Sequence, residues 1–183
     1  MINSPAPDDN LDRMLVSNYL DGQRQAGDEL VNRFHRSVYN VALRMLGNVQ
    51  DAEDVTQTVF GNAFSSMETY DPKYRFFSWI YRMTVNESLN AIKRRKEVVS
   101  LDGSFDAAAD SSESDSASEA EEKIRKALLE LKPDDRAVVI LKHFVSFSYE
   151  EISDVLGIPV KTVKSRLFTA RERLRQSLVV ARA

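Results

Sequence analysis

The sequence predicts an all-α protein made of two small helical domains joined by a flexible acidic linker, with a helix-turn-helix in the second domain. Apolar residues recur at spacings of three and four along most of the chain, which is the periodicity of amphipathic helices. No segment alternates apolar and polar residues between turn signals as a strand does. Residues 100–118 are rich in Ser, Asp and Ala with Phe105 as the single aromatic residue. This stretch has too few apolar groups to offset the entropy of ordering.

The composition agrees with this organisation and excludes several classes of protein. Of the 183 residues, 43% are hydrophobic, and 6 Gly and 5 Pro are too few for a collagen-like or wholly disordered chain. The absence of cysteine excludes disulfides, iron–sulfur clusters, thiolate zinc sites and Cys nucleophiles. The N-terminus is polar and acidic, and no run of about 18 apolar residues occurs. We therefore expect a cytoplasmic protein without membrane insertion.

The first domain is expected at residues 1–97 and begins with two helices. A short helix covers 11–19, and a longer one follows whose apolar spacing places one set of side chains on a single face. That face consists of Leu30, Phe34, Val38, Val41, Ala42 and Met45. Gly47 is the predicted C-terminal stop, because glycine readily adopts the left-handed conformation that ends many helices.

A third helix is predicted directly after this glycine, with Asn48 as its N-cap. Its apolar stripe consists of Val55, Val59, Phe60, Ala63 and Phe64. Its first turns carry a negative, hydrogen-bonding face made of Asp51, Glu53, Asp54 and Gln57. Such a face suits a basic protein partner and repels DNA. Acids at a helix start also stabilise the helix dipole, by about 0.3–1 kcal/mol each, and the two roles are compatible.

A fourth helix is predicted from about Phe76 to a basic end at 93–96, after a break at 70–73. Aromatic rings, cations and an amide are mixed here, in the set Tyr70, Lys73, Tyr74, Arg75, Phe76, Trp79, Arg82 and Asn86. The mixture suits an unpaired nucleic-acid strand, because stacking one base is worth about 1–3 kcal/mol and cations hold phosphates. The alternative is that Phe76, Phe77 and Trp79 only fill the core, and for Phe77 we prefer that interpretation.

The second domain is expected at residues 119–183, after an acidic disordered linker at 98–118. Its first helix has an apolar stripe made of Ile124, Leu128 and Leu131. Pro133 fits the first position of the next helix, where its missing N–H costs nothing. This second helix is predicted to end near Val145.

A helix-turn-helix pattern follows. Ser148 and Glu151 form a predicted capping box at the start of a short helix, Gly157 ends it, and a basic helix begins near Val160. A small core would be closed by Ile152, Leu156, Ile158, Val163 and Leu167. The alternative is an ordinary helical hairpin with a solvated basic face.

Charge is strongly segregated along the chain, although the net charge is only -3. Residues 73–96 contain seven basic residues and one acid, and so do residues 161–183. Residues 97–122 between them contain nine acids and no Lys or Arg. Because phosphate binding responds to charge within about a Debye length of 10 Å, these two basic patches can bind nucleic acid despite a pI near 5.5.

Motifs in both domains carry a family resemblance. The segments are 50–57 (QDAEDVTQ), 77–86 (FSWIYRMTVN), 149–152 (YEEI) and 157–167 (GIPVKTVKSRL). In this order, and over nearly the whole chain, they resemble an extracytoplasmic-function sigma factor of bacterial RNA polymerase. The resemblance implies an alternative sigma factor that binds core polymerase, recognises minus-35 and minus-10 promoter elements and helps to melt DNA.

The resemblance also implies a division of roles between the domains. The first domain, sigma region 2, would hold the clamp of the largest polymerase subunit through Asp51, Glu53, Asp54 and Gln57. It would engage the minus-10 element through Tyr70, Lys73, Tyr74, Arg75, Trp79, Arg82 and Asn86. By position, Tyr70 and Asn86 resemble residues that engage extruded bases of the non-template strand. The loop at 70–72 departs from the family's common Phe-Arg-Gly pattern.

The second domain, sigma region 4, would read the minus-35 element and contact the flap of the second-largest subunit. Lys164, Ser165, Phe168 and Thr169 match positions that face base edges, and Arg166, Arg171 and Arg173 match phosphate-side positions. Lys161 and Thr162 complete the predicted set. A lysine can donate to guanine acceptors in the major groove, and a phenylalanine can contact a thymine methyl.

Two other function classes are alternatives to a sigma factor. A stand-alone helix-turn-helix regulator would have no use for the acidic face or the aromatic loop. A nucleic-acid enzyme would need a Gly-rich phosphate loop, clustered carboxylates or a nucleophile–base pair, and the sequence contains none of them. We expect no enzyme activity, no cofactor and no metal, because His35 and His143 lack ligand partners at suitable spacing.

Two further expectations concern regulation. The family resemblance implies control by an anti-sigma factor. The acidic linker is interpreted as a solvated tether that keeps the two DNA-binding domains at high effective concentration. Alternatively, its charge competes with DNA for the basic surfaces, as acidic tails do.

Overall fold

The computed structural model describes residues 9–102 and 119–180, and within these two ranges it contains helices and no strand. The elements are α1 (Asp9–Leu20), α2 (Arg24–Leu46), α3 (Val49–Ser65), a 3₁₀ turn (Met67–Thr69), α4 (Phe76–Asp102), α5 (Glu119–Glu130), α6 (Pro133–His143), α7 (Tyr149–Leu156) and α8 (Val160–Val180). The predicted all-α class is confirmed. None of these helices combines the length and apolar character needed to cross a bilayer.

The helix boundaries in the first domain follow the predicted stop and cap signals. Gly47 adopts the left-handed conformation (φ 71°), and its N–H donates to Leu43 O at 2.7 Å. The side-chain oxygen of Asn48 accepts from the backbone N–H of Asp51 at 2.8 Å, which satisfies one of the open donors at the start of α3. Both predictions are therefore confirmed.

The first domain is a bundle in which α2, α3 and α4 pack against one another and α1 lies across α2. Its core is formed by the predicted apolar faces. The side chains with almost no exposure include Phe34, Val38, Val41, Met45, Val59, Ile80 and Tyr81. Phe77 is buried as well, as preferred from the sequence. This core holds the start of α4, and thus the predicted strand-binding side chains, on a rigid support.

Helix α4 continues past residue 97, where the first domain was predicted to end, and reaches Asp102. The domain boundary itself stays a prediction. No glycine or proline interrupts residues 97–102, and Gly103 is the first helix-breaking residue that follows. The rest of the predicted linker, residues 103–118, lies outside the described residues.

The second domain contains the predicted helix-turn-helix. The capping box is present, since Glu151 N donates to Ser148 Oγ at 3.1 Å and Ser148 N donates to Glu151 Oε2 at 2.8 Å. Gly157 ends α7 in the left-handed conformation (φ 63°). The small core between α7 and α8 is made of Ile152, Val155, Val163, Leu167 and Ala170. The face of α8 that this core leaves uncovered carries the predicted DNA-reading residues.

The two domains pack on each other. α2 contacts α5 and α6, while α4 contacts α6 and α7, so that the buried residues form one continuous core. The sequence predicted two tethered units, and no sequence pattern indicated that they contact each other. The contact between the domains decides which parts of the candidate nucleic-acid surface are accessible to solvent.

Candidate nucleic-acid interface

The start of α4 and the loop before it form a cluster of aromatic rings. The rings of Tyr70, Phe76 and Trp79 lie with their centroids 5.4–5.6 Å from one another. Tyr70 is only 6% exposed, its hydroxyl donates to Tyr74 O at 2.6 Å, and burial raises the pKa of its phenol. Tyr74, by contrast, is 57% exposed. Tyr70 therefore shapes the loop in this conformation, and Tyr74 presents the open ring.

Cations surround this aromatic cluster. The side chains of Lys73, Arg75 and Arg82 are exposed, and Asn86 is exposed one helical turn after Arg82. An open cleft of about 800 Å³ lies beside them. Six of the seven predicted minus-10 residues line it, namely Tyr70, Lys73, Tyr74, Arg75, Trp79 and Arg82. The structure thus brings cations and ring faces to one surface, the chemistry that a single strand requires.

The four predicted polymerase-binding residues separate into two faces of α3. Glu53 and Gln57 line a shallow, mostly apolar groove of about 510 Å³ between α2 and α3. Asp51 instead faces α4, where Arg95 Nη1 lies 3.7 Å from its carboxylate. Asp54 is exposed and accepts from Gln50 Nε2 at 3.4 Å. A partner that contacts all four residues must therefore wrap around the exposed side of the helix.

The floor of this groove is aromatic. His35 stacks on Phe60, with ring centroids 6.1 Å apart and an interplanar angle of 14°. Burial, and then the charge of Glu53, raise the pKa of the Tyr39 phenol. His35 is exposed, and its ring covers one face of Phe60. Among the described residues, no cluster of three or more His, Asp or Glu side chains could hold a metal ion.

The outer face of α8 carries the predicted minus-35 residues. Lys161, Lys164, Ser165 and Phe168 lie opposite the buried side of the helix. Phe168 is 74% exposed, more than any other large hydrophobic residue among those described. The ring is therefore accessible to a partner on this face. A thymine methyl fits it chemically.

The arginines predicted to face phosphates lie on the flanks of α8. On one flank, Arg166 and Arg173 lie 3.4 and 3.7 Å from the carboxylates of Asp134 and Asp135 on α6. On the other flank, the guanidinium of Arg171 lies 3.3 Å from His143 Nε2. The division between base-facing and phosphate-facing residues stays a prediction.

The remaining two residues of the predicted set are Thr162, which is half-buried, and Thr169, which is exposed. Ser165 Oγ donates to the backbone carbonyl of Thr162 at 3.0 Å. Lys164 Nζ lies 5.6 Å from the centre of the Tyr149 ring on α7, within cation–π distance. This contact places the ammonium group at the edge of the exposed face of α8.

Sequence reasoning missed the residues that join the two domains. Arg136 is 6% exposed, donates through Nη1 to Met45 O at the end of α2, and donates through Nη2 to Leu129 O at 2.7 Å. Arg125 Nη1 donates to Gly47 O at 3.2 Å. Burial lowers the pKa of Arg136 to about 10. These arginines satisfy C-terminal carbonyls of α2 that a lone first domain would leave to water. No local sequence pattern indicates such pairings, because their partners lie 78 and 91 positions away.

Comparison with known proteins supports both domains. Residues 30–98 match the family model of sigma-70 region 2, and residues 121–174 match that of sigma-70, region 4. The ECF RNA polymerase sigma factor SigW of Bacillus subtilis is 31% identical over 170 residues, covering 86% of this chain and 91% of that protein. The RNA polymerase sigma-H factor of Pseudomonas aeruginosa is 29% identical over 180 residues, covering 91% and 93%. The solved structure of CnrH in complex with the cytosolic domain of CnrY matches with a TM-score of 0.73 at 25% identity, covering 94% of this chain and 99% of that chain.

Proposed function

Because the chain belongs to the extracytoplasmic-function sigma factors, which bind core RNA polymerase and direct initiation at specific promoters, we propose how its surfaces divide that task. Proteins of this family are initiation factors rather than enzymes. We place the action of this one in the cytoplasm, where bacterial polymerase works. The observation that carries the assignment is the combination, in a single chain, of acids at the start of α3 with two separate clusters of basic residues, one at the start of α4 and one on α8.

The minus-10 element is proposed to bind at the start of α4. An unpaired strand would lie along Lys73, Arg75 and Arg82, with a base on Tyr74 or Trp79 and another at Asn86. Exposure of the cations and of the Tyr74 ring supports this. Tyr70 is proposed to act at this site through its contacts with Tyr74 and Trp79, and it can offer a base only if the loop rearranges.

The polymerase clamp is proposed to bind the exposed side of α3. The apolar groove gives a partner helix surface to bury, and Glu53 and Gln57 at its rim give charge and hydrogen bonds. Asp54 extends the same negative face. On binding, the Asp51 carboxylate would leave its ion pair with Arg95 and pair with a basic group of the clamp. The flap of the second-largest subunit is proposed to bind the second domain.

The minus-35 element is proposed to bind the outer face of α8, with Lys164 and Phe168 at base edges and the flanking arginines at phosphates. An anti-sigma factor is a further proposed partner. It is supported by the match to CnrH, whose structure was solved with the cytosolic domain of CnrY.

A polymerase-binding experiment tests the α3 assignment. Glu53→Lys should abolish retention of the chain on immobilised core polymerase, because it places like charges at a basic partner surface. Asp21→Lys is the matched control, since Asp21 is exposed in the turn between α1 and α2 and lies outside the groove. Undiminished binding by a folded Glu53→Lys variant would contradict the assignment. Specific binding to duplex promoter DNA without polymerase would instead favour a stand-alone regulator.

A further inference from the structure

Helix α7 of the second domain lies directly against the candidate strand-binding surface of the first. The cleft beside α4 has two walls of opposite charge. One wall carries the cations and rings already described, and the other carries Glu150, Glu151 and Asp154 from α7. An acidic helix thus faces the surface that is proposed to hold a polyanion.

The contacts across this cleft occupy the hydrogen-bond donors that a phosphate would use. Across the cleft, Arg75 Nη1 lies 2.8 Å from Glu151 Oε1. Within the first domain, Arg75 Nε lies 2.9 Å from Asp9 Oδ2 on α1. Arg82 Nη2 donates to the backbone carbonyl of Asp154. A guanidinium presents its N–H groups in a fixed fork that matches carboxylate and phosphate alike. Glu151 and a phosphate therefore compete for Arg75.

An apolar contact holds α7 in this position. Phe147, in the loop between α6 and α7, is 7% exposed and inserts between two aromatic residues of α4. Its ring centroid lies 5.2 Å from that of Phe77 and 5.2 Å from that of Tyr81. Ser146, the residue before it, has a left-handed backbone (φ 68°) that shapes this loop. Burial of the Phe147 ring stabilises this position of α7 and thus keeps Glu151 and Asp154 beside Arg75 and Arg82.

The other DNA-binding surface remains open in the same arrangement. In the described part of the chain, α8 packs on α5, α6 and α7 and makes no contact with α1–α4. The outer face of α8, including Phe168, is exposed. The domain contact therefore covers only one of the two nucleic-acid surfaces.

The packed arrangement cannot bind both promoter elements together. Elements about 25 base pairs apart are separated by roughly 85 Å of B-DNA at 3.4 Å per pair. A compact chain of this length has a radius of gyration of about 16 Å. The domains must separate before both elements are bound, and separation removes α7 from α4.

We propose that α7 is an intramolecular competitor for the unpaired promoter strand, with Glu151 in the place of a phosphate on Arg75. The proposal rests on the assignment of the α4 surface to the minus-10 strand. While the domains are packed, the single strand is excluded and upstream duplex can still reach α8. The apparent strand affinity is the intrinsic affinity reduced by the fraction of separated molecules.

Paired variants test this competition in the full chain. Glu151→Gln removes the charge that faces Arg75, and glutamine retains the capping box with Ser148. Glu150→Gln is the control, because it changes the net charge equally on the same wall of the cleft without an ion pair to Arg75. The probes are a fluorescent single-stranded DNA and a duplex DNA, both of mixed sequence and both measured at low salt.

Glu151→Gln should tighten single-strand binding by up to about fivefold, the range that one partly exposed ion pair supports. Glu150→Gln should not exceed wild type by a comparable factor, and duplex binding should change equally in both variants. Adding Phe147→Ala to Glu151→Gln should tighten strand binding further. Equal strand affinities for the Glu151→Gln and Glu150→Gln proteins would overturn the competition. Failure of every variant to bind the strand would overturn the α4 assignment itself, and the competition with it.

A distance measurement checks the opening independently of DNA. The chain has no cysteine, so cysteines introduced at exposed Glu68 and Gln176, one in each domain, can carry a fluorophore pair. Energy transfer should be lower in Glu151→Gln than in Glu150→Gln, and adding single-stranded DNA should lower it in wild type. Unchanged transfer in all these cases would show that α7 does not leave α4, which contradicts the proposal.

Discussion

Substituting Gly47 by alanine tests whether the two domains pack in solution as they do in the structure. Gly47 ends α2 with φ 71°, and a Cβ there would lie 2.6 Å from Leu129 Cδ1 of α5. Two costs therefore add. A left-handed conformation costs a non-glycine residue about 1–2 kcal/mol, and pushing the half-buried Leu129 side chain into a less favourable rotamer costs about 0.5–1.5 kcal/mol. The expected loss of unfolding free energy is the sum of these two costs, about 1.5–3.5 kcal/mol.

Gly157 provides a control that carries the first cost without the second. It ends α7 with φ 63°, and a Cβ there would have no neighbour within 4 Å. Gly157→Ala should therefore lose only about 1–2 kcal/mol. The difference between the two glycine variants isolates the contact between the domains.

A double-mutant cycle in urea completes the test. Leu129→Ala removes the side chain that the new methyl group would meet, so the pair of substitutions should cost about 0.5–1.5 kcal/mol less than the sum of the single ones. Unfolding free energies come from the urea dependence of circular dichroism. If Gly47→Ala costs no more than Gly157→Ala and shows no coupling to Leu129→Ala, the packing of α5 on the end of α2 is refuted.

Three further outcomes are expected. Burial, together with Arg171 and Lys142, lowers the pKa of His143, so the unfolded chain binds the proton more readily and stability should fall as the pH drops below about 6.5. Urea unfolding at pH 5.5 and 7.5, about one unit either side of the ordinary histidine pKa of about 6.5, measures this loss of stability. His143→Gln should make the loss smaller, and an unchanged pH dependence would contradict the prediction. Lys164→Ala should cost about 1–3 kcal/mol at one position of the upstream element, whereas Arg171→Ala should weaken all sequences and lower the salt slope by about one unit; identical behaviour on a panel of single-base variants would refute the orientation of α8. Tyr74→Ala with Asn86→Ala should bind polymerase normally but open duplex promoters poorly by permanganate footprinting. A mismatched bubble should restore activity, because it removes an unpairing cost of about 1.4 kcal/mol per step; normal opening of duplex DNA by this double variant would exclude the melting role.

Much of the candidate site was predictable from the sequence because its signals are local. The stop at Gly47, the cap at Asn48 and the capping box of Ser148 and Glu151 each depend on groups within four positions of one another. The apolar spacing of α8 likewise fixed which residues face away from the core. Helical periodicity determines a face once the helix is known, so the exposed face of α8 could be predicted directly.

Other features depended on how the helices pack. The sequence grouped Asp51 with Glu53, but the position of α4 gives Asp51 an arginine partner and leaves Glu53 at a groove. The family resemblance singled out Tyr70 as a base-engaging residue, yet Tyr70 is buried and Tyr74 is exposed. In both pairs, the two residues differ because they have different neighbouring side chains from other helices.

The amino-acid sequence by itself determined that this protein is helical, that it has two domains, and which basic and aromatic residues each domain carries. Only the tertiary structure decided that α7 faces α4 and that Glu151 meets Arg75, 76 positions away. The physical reason is that periodicity and capping act within one or two helical turns. A contact between domains depends on the shapes of two completed surfaces, since it is formed where Phe147 fits between Phe77 and Tyr81.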